Sequence, residues 1–281
     1  MTTIFIADFF VDQVPGGGEL NNEILIDLLL EKKHDLEKIN SHLVNIDFLE
    51  KNHGSKLIIA NFVNLSLECK EYIQSDFDYV IYEHDHKYLA NRNPAEYKDY
   101  LAPQEKIVNR EFYKNSKYVF CQSEFHSNIV KSNLQIENIV NLSGNLWSID
   151  ALNLMKKLSE SKKNDMCSIM YSNIEHKNTS GAIRYCMLKG HEYNLIYPCP
   201  PDDFFKKISQ NDKLVFFPLS PETLSRIVVE ARMMGMKVIT NNRLGAVSEP
   251  WFSMKGLPLI EHMLNKRVEI LNKVENFIHE G

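Results

Sequence analysis

The sequence lacks the features that mark several large classes of protein. No apolar run approaches the ~20 residues that a membrane-spanning helix needs. No basic segment precedes the first apolar residues, so we expect a soluble, unprocessed and cytoplasmic protein. The chain also lacks an excess of basic charge, because 32 Lys and Arg stand against 37 Asp and Glu for a net charge of −5. No global basic field therefore indicates binding to nucleic acid or anionic lipid.

Cysteine is scarce and unpaired in its spacing. The five cysteines form no Cys-x-x-Cys pair and are odd in number. This usage is typical of a reducing compartment and disfavours a disulfide-stabilised fold. Because free cysteine behaves as a small hydrophobe, we expect all five to be packing residues.

What the sequence does contain is two series of short apolar runs separated by helix-length segments. The runs of the first half are residues 3–8, 56–60, 78–82 and 117–121, and those of the second are 167–171, 193–197, 213–217 and 237–240. Such alternation predicts parallel strands joined by helices, and therefore two doubly wound α/β domains. A connection rich in Gly, Ser and Asn at residues 141–148 separates them, and a helical pattern fills the last segment from Pro258 to about Phe277.

The most informative stretch holds two glutamates, Glu222 and Glu230, with seven residues between them and an apolar strand on either side. Pro221 ends strand pairing and Ser220 or Thr223 can cap a helix, which places Glu222 at the helix mouth and Glu230 about two turns inside. A helix N-terminus at the end of a strand favours a phosphate, and carboxylates suit sugar and ribose hydroxyls. An ordinary strand, loop and helix with two surface glutamates fits the spacing equally well.

This stretch resembles the Glu-x7-Glu signature of retaining glycosyltransferases of family 4, and the likeness continues through Gly245 and Glu249. The resemblance implies the α/β GT-B architecture, in which two Rossmann-like domains face each other across a cleft. It also implies that Glu222 holds hydroxyls of the donor sugar and that Glu230 holds the ribose. Backbone amides between the two meet the diphosphate or the sugar, which makes donor-binding residues of Thr223, Leu224 and Ser225. Leu224 and Ser225 stand where the family has an aromatic residue and a glycine.

The resemblance assigns a role to each part of the chain. Residues 1–145 form an N-terminal domain on the acceptor side, and residues 146–257 form a C-terminal domain that binds the nucleotide sugar. Residues 258–281 form a helix that packs back on the N-terminal domain.

Three consecutive glycines follow the first predicted strand. The backbone at Gly16, Gly17 and Gly18 can take positive φ and approach a ligand closely, although a glycine loop is also often just a flexible turn. Open α/β sheets bind ligands at this kind of junction. With Glu19, the run is similar to the family's Gly-Gly-x-Glu element, which implies that the three glycines bind the donor.

The run from Tyr82 to His86 is the densest group of titratable residues. A zinc site is disfavoured there because neighbouring residues on an extended segment point in alternating directions. The resemblance implies instead a histidine near the donor sugar and the acceptor. His84 matches that histidine by position, and His86 is the alternative. The ordinary interpretation is that the residue is a hydrogen-bonded surface histidine without a role in the reaction.

A departing diphosphate requires positive charge, which the family supplies with an arginine and a lysine after the first strand of the second domain. Lys177 matches the lysine, whereas Asn173 stands near the arginine position. Either Lys177 and helix-end amides neutralise the diphosphate alone, or Arg226 or Arg243 supplies a second charge. A solvated lysine is the alternative.

The resemblance as a whole implies a hexosyl- or pentosyltransferase that moves a sugar from a nucleotide-diphosphate donor to an acceptor hydroxyl with retention of configuration. The catalytic residues are then His84, Glu222 and Lys177, and the reaction needs no metal and no cofactor beyond the donor substrate. The sequence does not identify the acceptor, which is a glycan, a lipid, a protein or modified DNA, and it does not define an oligomeric state.

Two alternatives remain open. The first is a glycosyltransferase that acts on hydroxymethylated DNA bases, which residues 87–117 would contact with their interleaved basic and aromatic side chains. Nearby acidic residues balance those charges, so a solvated helical face is favoured over a nucleic-acid surface. The second is a non-catalytic sugar-nucleotide-binding protein, which the missing arginine and Ser225 permit.

Overall fold

A computed structural model describes residues 2–280. The chain folds as two compact units. The first unit extends to Leu146 and resumes at Lys266, and the second is Trp147–Asn265. Each unit has its own parallel sheet, as the alternation of apolar runs predicts.

The first unit contains a six-stranded sheet in the order β2-β1-β3-β4-β5-β6, with every neighbouring pair parallel. The strands are β1 (Thr3–Ala7), β2 (Leu36–Asn40), β3 (Lys56–Ile59), β4 (Tyr79–Tyr82), β5 (Tyr118–Cys121) and β6 (Ile139–Asn141). The helices between them are α1 (Gly17–Glu31), α2 (Ile46–Lys51), α3 (Leu67–Asp76), α4 (Arg110–Lys114) and α5 (Glu124–Leu134).

The central strands of this sheet are buried on both faces. Ile4 and Ile6 of β1 pack into one apolar cluster, while Phe5 and Ala7 pack into another. Because successive side chains of a strand point to opposite faces, both sides of the sheet are covered by apolar side chains. This two-sided burial explains why β1, β3 and β4 are continuous apolar runs in the sequence.

The second unit contains a four-stranded parallel sheet in the order β10-β9-β7-β8. Its strands are β7 (Asn164–Met170), β8 (Tyr193–Ile196), β9 (Asn211–Phe216) and β10 (Lys237–Thr240). Its helices are α6 (Ile149–Ser159), α7 (Thr179–Lys189), α8 (Pro201–Ile208) and α9 (Arg226–Met233).

The last helix, α10 (Leu257–His279), contributes to the cores of both units. Its first turns add Leu259 and Met263 to the core of the second unit. Its later turns add Val274 and Phe277 to the core of the first.

All five cysteines are free thiols, and four of them are buried. None of the helices that the structure describes within residues 2–280 is both long and apolar enough to cross a membrane.

Candidate functional site

The second sheet has a point where the chain reverses its direction of travel across the strands. Strand β7 lies between β8 and β9, so the connections after β7 and β9 leave in opposite directions. Open α/β proteins bind ligands outside the carboxyl ends of the strands at such a switch point. The loop after β7 carries Asn173 and Lys177, and the loop after β9 carries residues 222–225. The predicted donor-binding residues of the second unit therefore follow the two strands that flank the switch point.

Lys177 and Glu222 form an ion pair at this edge of the sheet. Their Nζ and Oε1 atoms are 2.8 Å apart, and the two side chains are 28% and 17% exposed. The Lys177 ammonium also lies 5.9 Å from the centroid of the Phe216 ring. The backbone of Glu222 is fixed because its N–H donates to the Arg243 carbonyl and its carbonyl accepts from the Gly245 N–H, both at 2.9 Å. The structure thus places two of the three predicted catalytic side chains in direct contact.

The helix after Glu222 begins later than the sequence predicts. Helix α9 starts at Arg226 with Ser225 in the N-cap position, so the prediction that Ser220 or Thr223 caps it is wrong. The physical reason is that Glu222 pairs with Leu244 in a parallel bridge, which keeps the backbone extended past Pro221. Glu222 therefore precedes the helix by four residues, and Glu230 is its fifth residue. Glu230 lies just over one turn inside α9, not about two.

Ser225 adopts the backbone conformation that favours glycine. Its φ is 75° and its ψ is 84°, and it is only 6% exposed. Its buried Oγ makes no hydrogen bond. A positive φ costs a residue with a Cβ about 1–2 kcal/mol, which explains why a glycine is expected here. The neighbouring Leu224 side chain is fully buried in the apolar core, so only its backbone can meet a ligand.

Glu230 is nearly buried and already has protein partners. It is 8% exposed, and its Oε1 accepts a 2.9 Å hydrogen bond from Trp147 Nε1. The same oxygen lies 3.5 Å from Arg226 Nε. The Arg226 guanidinium lies 4.5 Å from the centroid of the Trp147 ring. Of the two arginines considered as a second cation, Arg226 is therefore held beside Glu230, whereas the Arg243 guanidinium donates to the Leu219 carbonyl.

Asn173 occupies the loop after β7 together with an aromatic pair. Its Oδ1 accepts a 2.9 Å hydrogen bond from the Tyr171 hydroxyl. The Tyr171 ring lies 4.6 Å from that of Tyr197, which follows β8. Asn178 connects this loop to the end of β9, because its side chain donates to the Phe217 carbonyl at 2.8 Å. Asn178 also caps α7 by accepting from the Gly181 N–H at 3.1 Å.

In the first unit, the glycine run is the start of a helix. Gly17 and Gly18 are the first residues of α1, and Gly16 is its N-cap with an extended φ of −85°. None of the three adopts a positive φ, so the left-handed backbone that glycine permits is not used here. A Cβ on Gly18 would lie 3.4 Å from Cγ of His84, and one on Gly16 would lie 2.2 Å from a Glu19 carboxylate oxygen. The glycines instead let these two side chains approach the helix start.

His84 lies against this helix start and is half-buried. Its Nε2 is 2.6 Å from Asn22 Oδ1. Its Nδ1 accepts from the Gln122 side-chain amide. Side-chain amides therefore contact both ring nitrogens and hold the imidazole in place. The ring also packs edge-on against Tyr82, with 5.1 Å between the centroids.

His86, the alternative in the sequence, is a core residue. It is 2% exposed, and its Nδ1 lies 3.1 Å from the Tyr88 hydroxyl. Its ring packs against that of His126 with centroids 5.2 Å apart. Burial holds the pKa of His86 well below its usual range and lowers the pKa of His126 to about 3. The structure therefore separates the two histidines: His84 is next to the glycines, and His86 is not.

A buried ion pair beside His84 was missed by sequence reasoning. Glu83 accepts from Lys87 and from the Tyr113 hydroxyl, and the residues are 1%, 3% and 0% exposed. Burial raises the pKa of the Glu83 carboxyl, while Lys87 and Tyr113 oppose that rise. The sequence signal that could have predicted this pair is a Glu and a Lys four residues apart, directly after a buried strand.

The basic and aromatic segment near residues 85–115 is buried at several aromatic residues and exposed at most of its charged ones. Tyr88, Phe112 and Tyr113 are buried in the apolar core together with Lys87. The segment consists of short helical turns, of which α4 is the longest. The expectation of a solvated face is therefore wrong for these four residues, whereas Arg92, Lys98, Lys106 and Lys114 are exposed as it predicts.

Asp8 is a second polar residue that the sequence did not single out. It follows β1, is 6% exposed, and accepts from the backbone N–H groups of Val63 and Asn64 at 3.0 Å each. It also accepts from the Ser41 hydroxyl. Since β1 lies between β2 and β3, Asp8 joins the three loops at the switch point of the first sheet. The sequence signal that could have identified Asp8 is an acidic residue directly after a buried apolar strand.

Comparison with known proteins relates the chain to glycosyltransferases through its fold. No protein-family model matches the sequence, and no curated protein matches it. HepE of Anabaena, solved with UDP and glucose, is 13% identical, with a TM-score of 0.57 over 99% of this chain and 92% of that one. WaaG, a glycosyltransferase involved in lipopolysaccharide biosynthesis, is 11% identical, with a TM-score of 0.54 over 99% of this chain and 94% of that one.

A third solved structure is an α-glucosyltransferase in complex with UDP and a 13-mer DNA containing an HMU base. It is 10% identical, with a TM-score of 0.50 over 96% of this chain and 90% of that one. At such identities the likeness concerns the fold. This chain therefore has the GT-B fold that the resemblance implied.

Proposed function

We propose that the protein is a glycosyltransferase that transfers a hexose or pentose from a nucleotide-diphosphate sugar to an acceptor hydroxyl with retention of configuration. The observation that carries this proposal is the contact of Lys177 with Glu222 at the switch point of the second sheet. The bond that breaks joins a sugar to a phosphate. The cation suits the phosphate, and the carboxylate suits the hydroxyls of the sugar. Support comes from the shared fold of HepE, which was solved with UDP and glucose.

Each residue has a distinct role at the donor. Lys177 neutralises the departing diphosphate, and Glu222 accepts hydrogen bonds from hydroxyls of the transferred sugar. The N–H groups that open α9 at Ser225 add partial positive charge for a phosphate. Glu230 accepts from the ribose. In the absence of a donor, Lys177 and Glu222 satisfy each other, so donor binding exchanges one ion pair for two new contacts.

In the transfer step the bond between the anomeric carbon and the diphosphate oxygen breaks, and the diphosphate leaves with the electron pair. The acceptor hydroxyl forms the new bond on the same face and passes its proton to the departing diphosphate oxygen. The sugar passes through an oxocarbenium-like state, so stabilising the leaving group contributes more than a strong nucleophile. We assign His84 to the sugar and acceptor side, where Asn22 holds its ring in place. Because Lys177 and helix-end amides supply the positive charge, we expect the donor to be the only cofactor-like molecule required.

Transfer to hydroxymethylated DNA bases is the second candidate. It is favoured by the shared fold of the α-glucosyltransferase solved with DNA. Binding to duplex DNA that weakens steeply with added salt would support it over a glycan, lipid or protein acceptor.

Free thiols fit a reducing compartment, so we propose that the protein acts in the cytoplasm.

The experiment is a thermal-shift screen of nucleotide sugars, followed by donor hydrolysis without acceptor. We expect one class of donor to raise the melting temperature and to be hydrolysed slowly. Once a transfer product is obtained, we expect NMR to show that its anomeric configuration is that of the donor. Lys177→Ala should lose hydrolysis, whereas Lys189→Ala, an exposed lysine at the end of α7, should not. Donor binding without any turnover would identify a non-catalytic sugar-nucleotide-binding protein. An inverted product would contradict retention.

A further inference from the structure

Two histidines and a glutamate converge in the first unit, away from the residues discussed so far. Within residues 2–280, the group of His, Cys, Asp or Glu side chains with metal-binding proximity is His34, Glu275 and His279, whose ligand atoms all lie within 4.8 Å of one another. His34 Nε2 is 2.9 Å from Glu275 Oε1. The rings of His34 and His279 have centroids 5.3 Å apart.

The backbone holds these three side chains in place from two directions. Glu275 and His279 are four residues apart on α10 and therefore share one face of the helix. That part of α10 is anchored by Val274 and Phe277, which are fully buried. His34 belongs to the turn after α1, where its N–H donates to the Leu29 carbonyl at 3.1 Å. Because the backbone is held in place, rotation of the three side chains is enough to bring their ligand atoms to the spacing that a metal ion requires.

The donor set matches a transition metal. Two imidazoles and one carboxylate are a ligand set that binds Zn²⁺, whereas Mg²⁺ and Ca²⁺ prefer oxygen ligands. Tetrahedral zinc with bonds of ~2.1 Å places its ligand atoms about 3.4 Å apart. The observed 2.9 Å contact and the 4.8 Å limit bracket that value.

We propose that His34, Glu275 and His279 bind one zinc ion, with water completing the coordination. His34 lies two residues before β2, at the amino edge of the sheet, whereas Gly16 and His84 follow the carboxyl ends of β1 and β4. The ion would therefore join the end of α10 to the turn after α1 and take no part in transfer. An ion that binds the folded chain and not the unfolded one stabilises the fold.

The test is calorimetric titration of the EDTA-treated full chain with ZnCl₂, together with thermal melts. We expect saturation at one zinc per chain and a melting temperature about 5 °C higher at a hundredfold excess over Kd. Co²⁺ in place of Zn²⁺ should give the visible absorption of a tetrahedral site. His279→Ala should lose the binding and the thermal shift. His42→Ala removes an exposed histidine outside the group and should keep both.

Equal zinc binding by the wild type and His279→Ala would overturn the proposal, because the ion would then lie elsewhere. Weak binding without saturation would overturn it too. Since His279 is exposed, its substitution leaves the core intact. Glu275→Gln, which keeps the shape but removes the charge, should weaken zinc binding in the same assay. None of these measurements uses a nucleotide sugar, so their outcome is independent of the proposed transferase activity.

Discussion

Glu222 and Glu230 belong to one sequence pattern, but their surroundings differ. Glu222 is paired with Lys177 at the edge of the sheet. Glu230 sits inside α9, where Trp147 donates to it and Arg226 lies alongside. A substitution at Glu230 therefore alters packing as well as binding, and the conservative change to Gln is the informative one.

We predict that Glu230→Gln weakens binding of the bare nucleotide diphosphate and of the nucleotide sugar alike, by about 1.5–3 kcal/mol. This is the usual contribution of a hydrogen bond to a charged group. The amide oxygen can still accept from Trp147, so the fold is retained. Calorimetry with both ligands on one preparation measures the effect. Unchanged affinity for the nucleotide diphosphate would remove Glu230 from the ribose site.

The Glu83–Lys87 pair makes a prediction about stability and pH. Lys87→Met leaves the Glu83 carboxylate buried without its cation, which costs about 3–5 kcal/mol. Glu83 then has a folded pKa raised further above its unfolded value. Stability from such a group is fully present below the unfolded pKa and is lost as pH rises through the folded pKa. We therefore expect the deficit against wild type to be larger at pH 8 than at pH 5.

Urea denaturation at the two pH values measures this deficit. The double variant Glu83→Gln with Lys87→Met is the matched control, because it removes the carboxylate charge. It should show little dependence of the deficit on pH. A deficit in Lys87→Met that is equal at pH 5 and pH 8 would show that packing of the lysine stem, and not the charge on Glu83, accounts for the loss.

At the scale of elements, the buried strands of the first sheet were predictable and its two edge strands were not. Strands β3 and β4 are buried at every residue and appear as apolar runs. The two edge strands, β2 and β6, were missed in the sequence. β2 has charged, exposed residues at its centre, and β6 has only three residues, all half-buried. These two strands are covered incompletely and their sequences show no continuous apolar pattern, whereas the edge strands of the second sheet, β8 and β10, were recognisable as apolar runs.

The N-cap of α9 was predicted at Ser220 or Thr223, five or two residues before the observed Ser225. The bridge between Glu222 and Leu244, which delays the helix, is a long-range contact that local propensity does not show. The resemblance nevertheless selected the residues at the switch point, Lys177 and Glu222. It did not show that Glu230 is already bonded to Trp147, since that contact spans 83 residues of sequence.

The loop before α9 provides a prediction about Ser225. Ser225→Gly should raise the free energy of unfolding by about 1 kcal/mol, because glycine tolerates φ of 75° and removes a buried hydroxyl that has no partner. Ser225→Val should lower it, since a β-branched residue is strained at positive φ. Chemical denaturation of the three proteins compares them. A destabilised glycine variant would contradict the strain account.

At the scale of the whole molecule, each unit presents its polar residues at the carboxyl ends of its strands. In the first unit these are Asp8 and His84 with the glycines of α1, and in the second they are Lys177 and Glu222. Asp8 follows β1, and Lys177 and Glu222 follow β7 and β9, which are strands at the switch points of the two sheets, whereas His84 follows β4. This common arrangement, together with the GT-B fold, is the physical basis of the proposed transfer reaction.

The most direct test of that reaction is one comparison on Glu222→Gln, with Glu261→Gln, an exposed glutamate of α10, as the control. Calorimetry measures binding of the nucleotide diphosphate, and product formation measures turnover with the best donor. Because we propose that Glu222 contacts the sugar and not the nucleotide, binding should stay within about a factor of two while turnover falls ~100-fold or more. The control should match wild type in both. Unchanged turnover, or abolished nucleotide binding in a folded protein, would contradict the account.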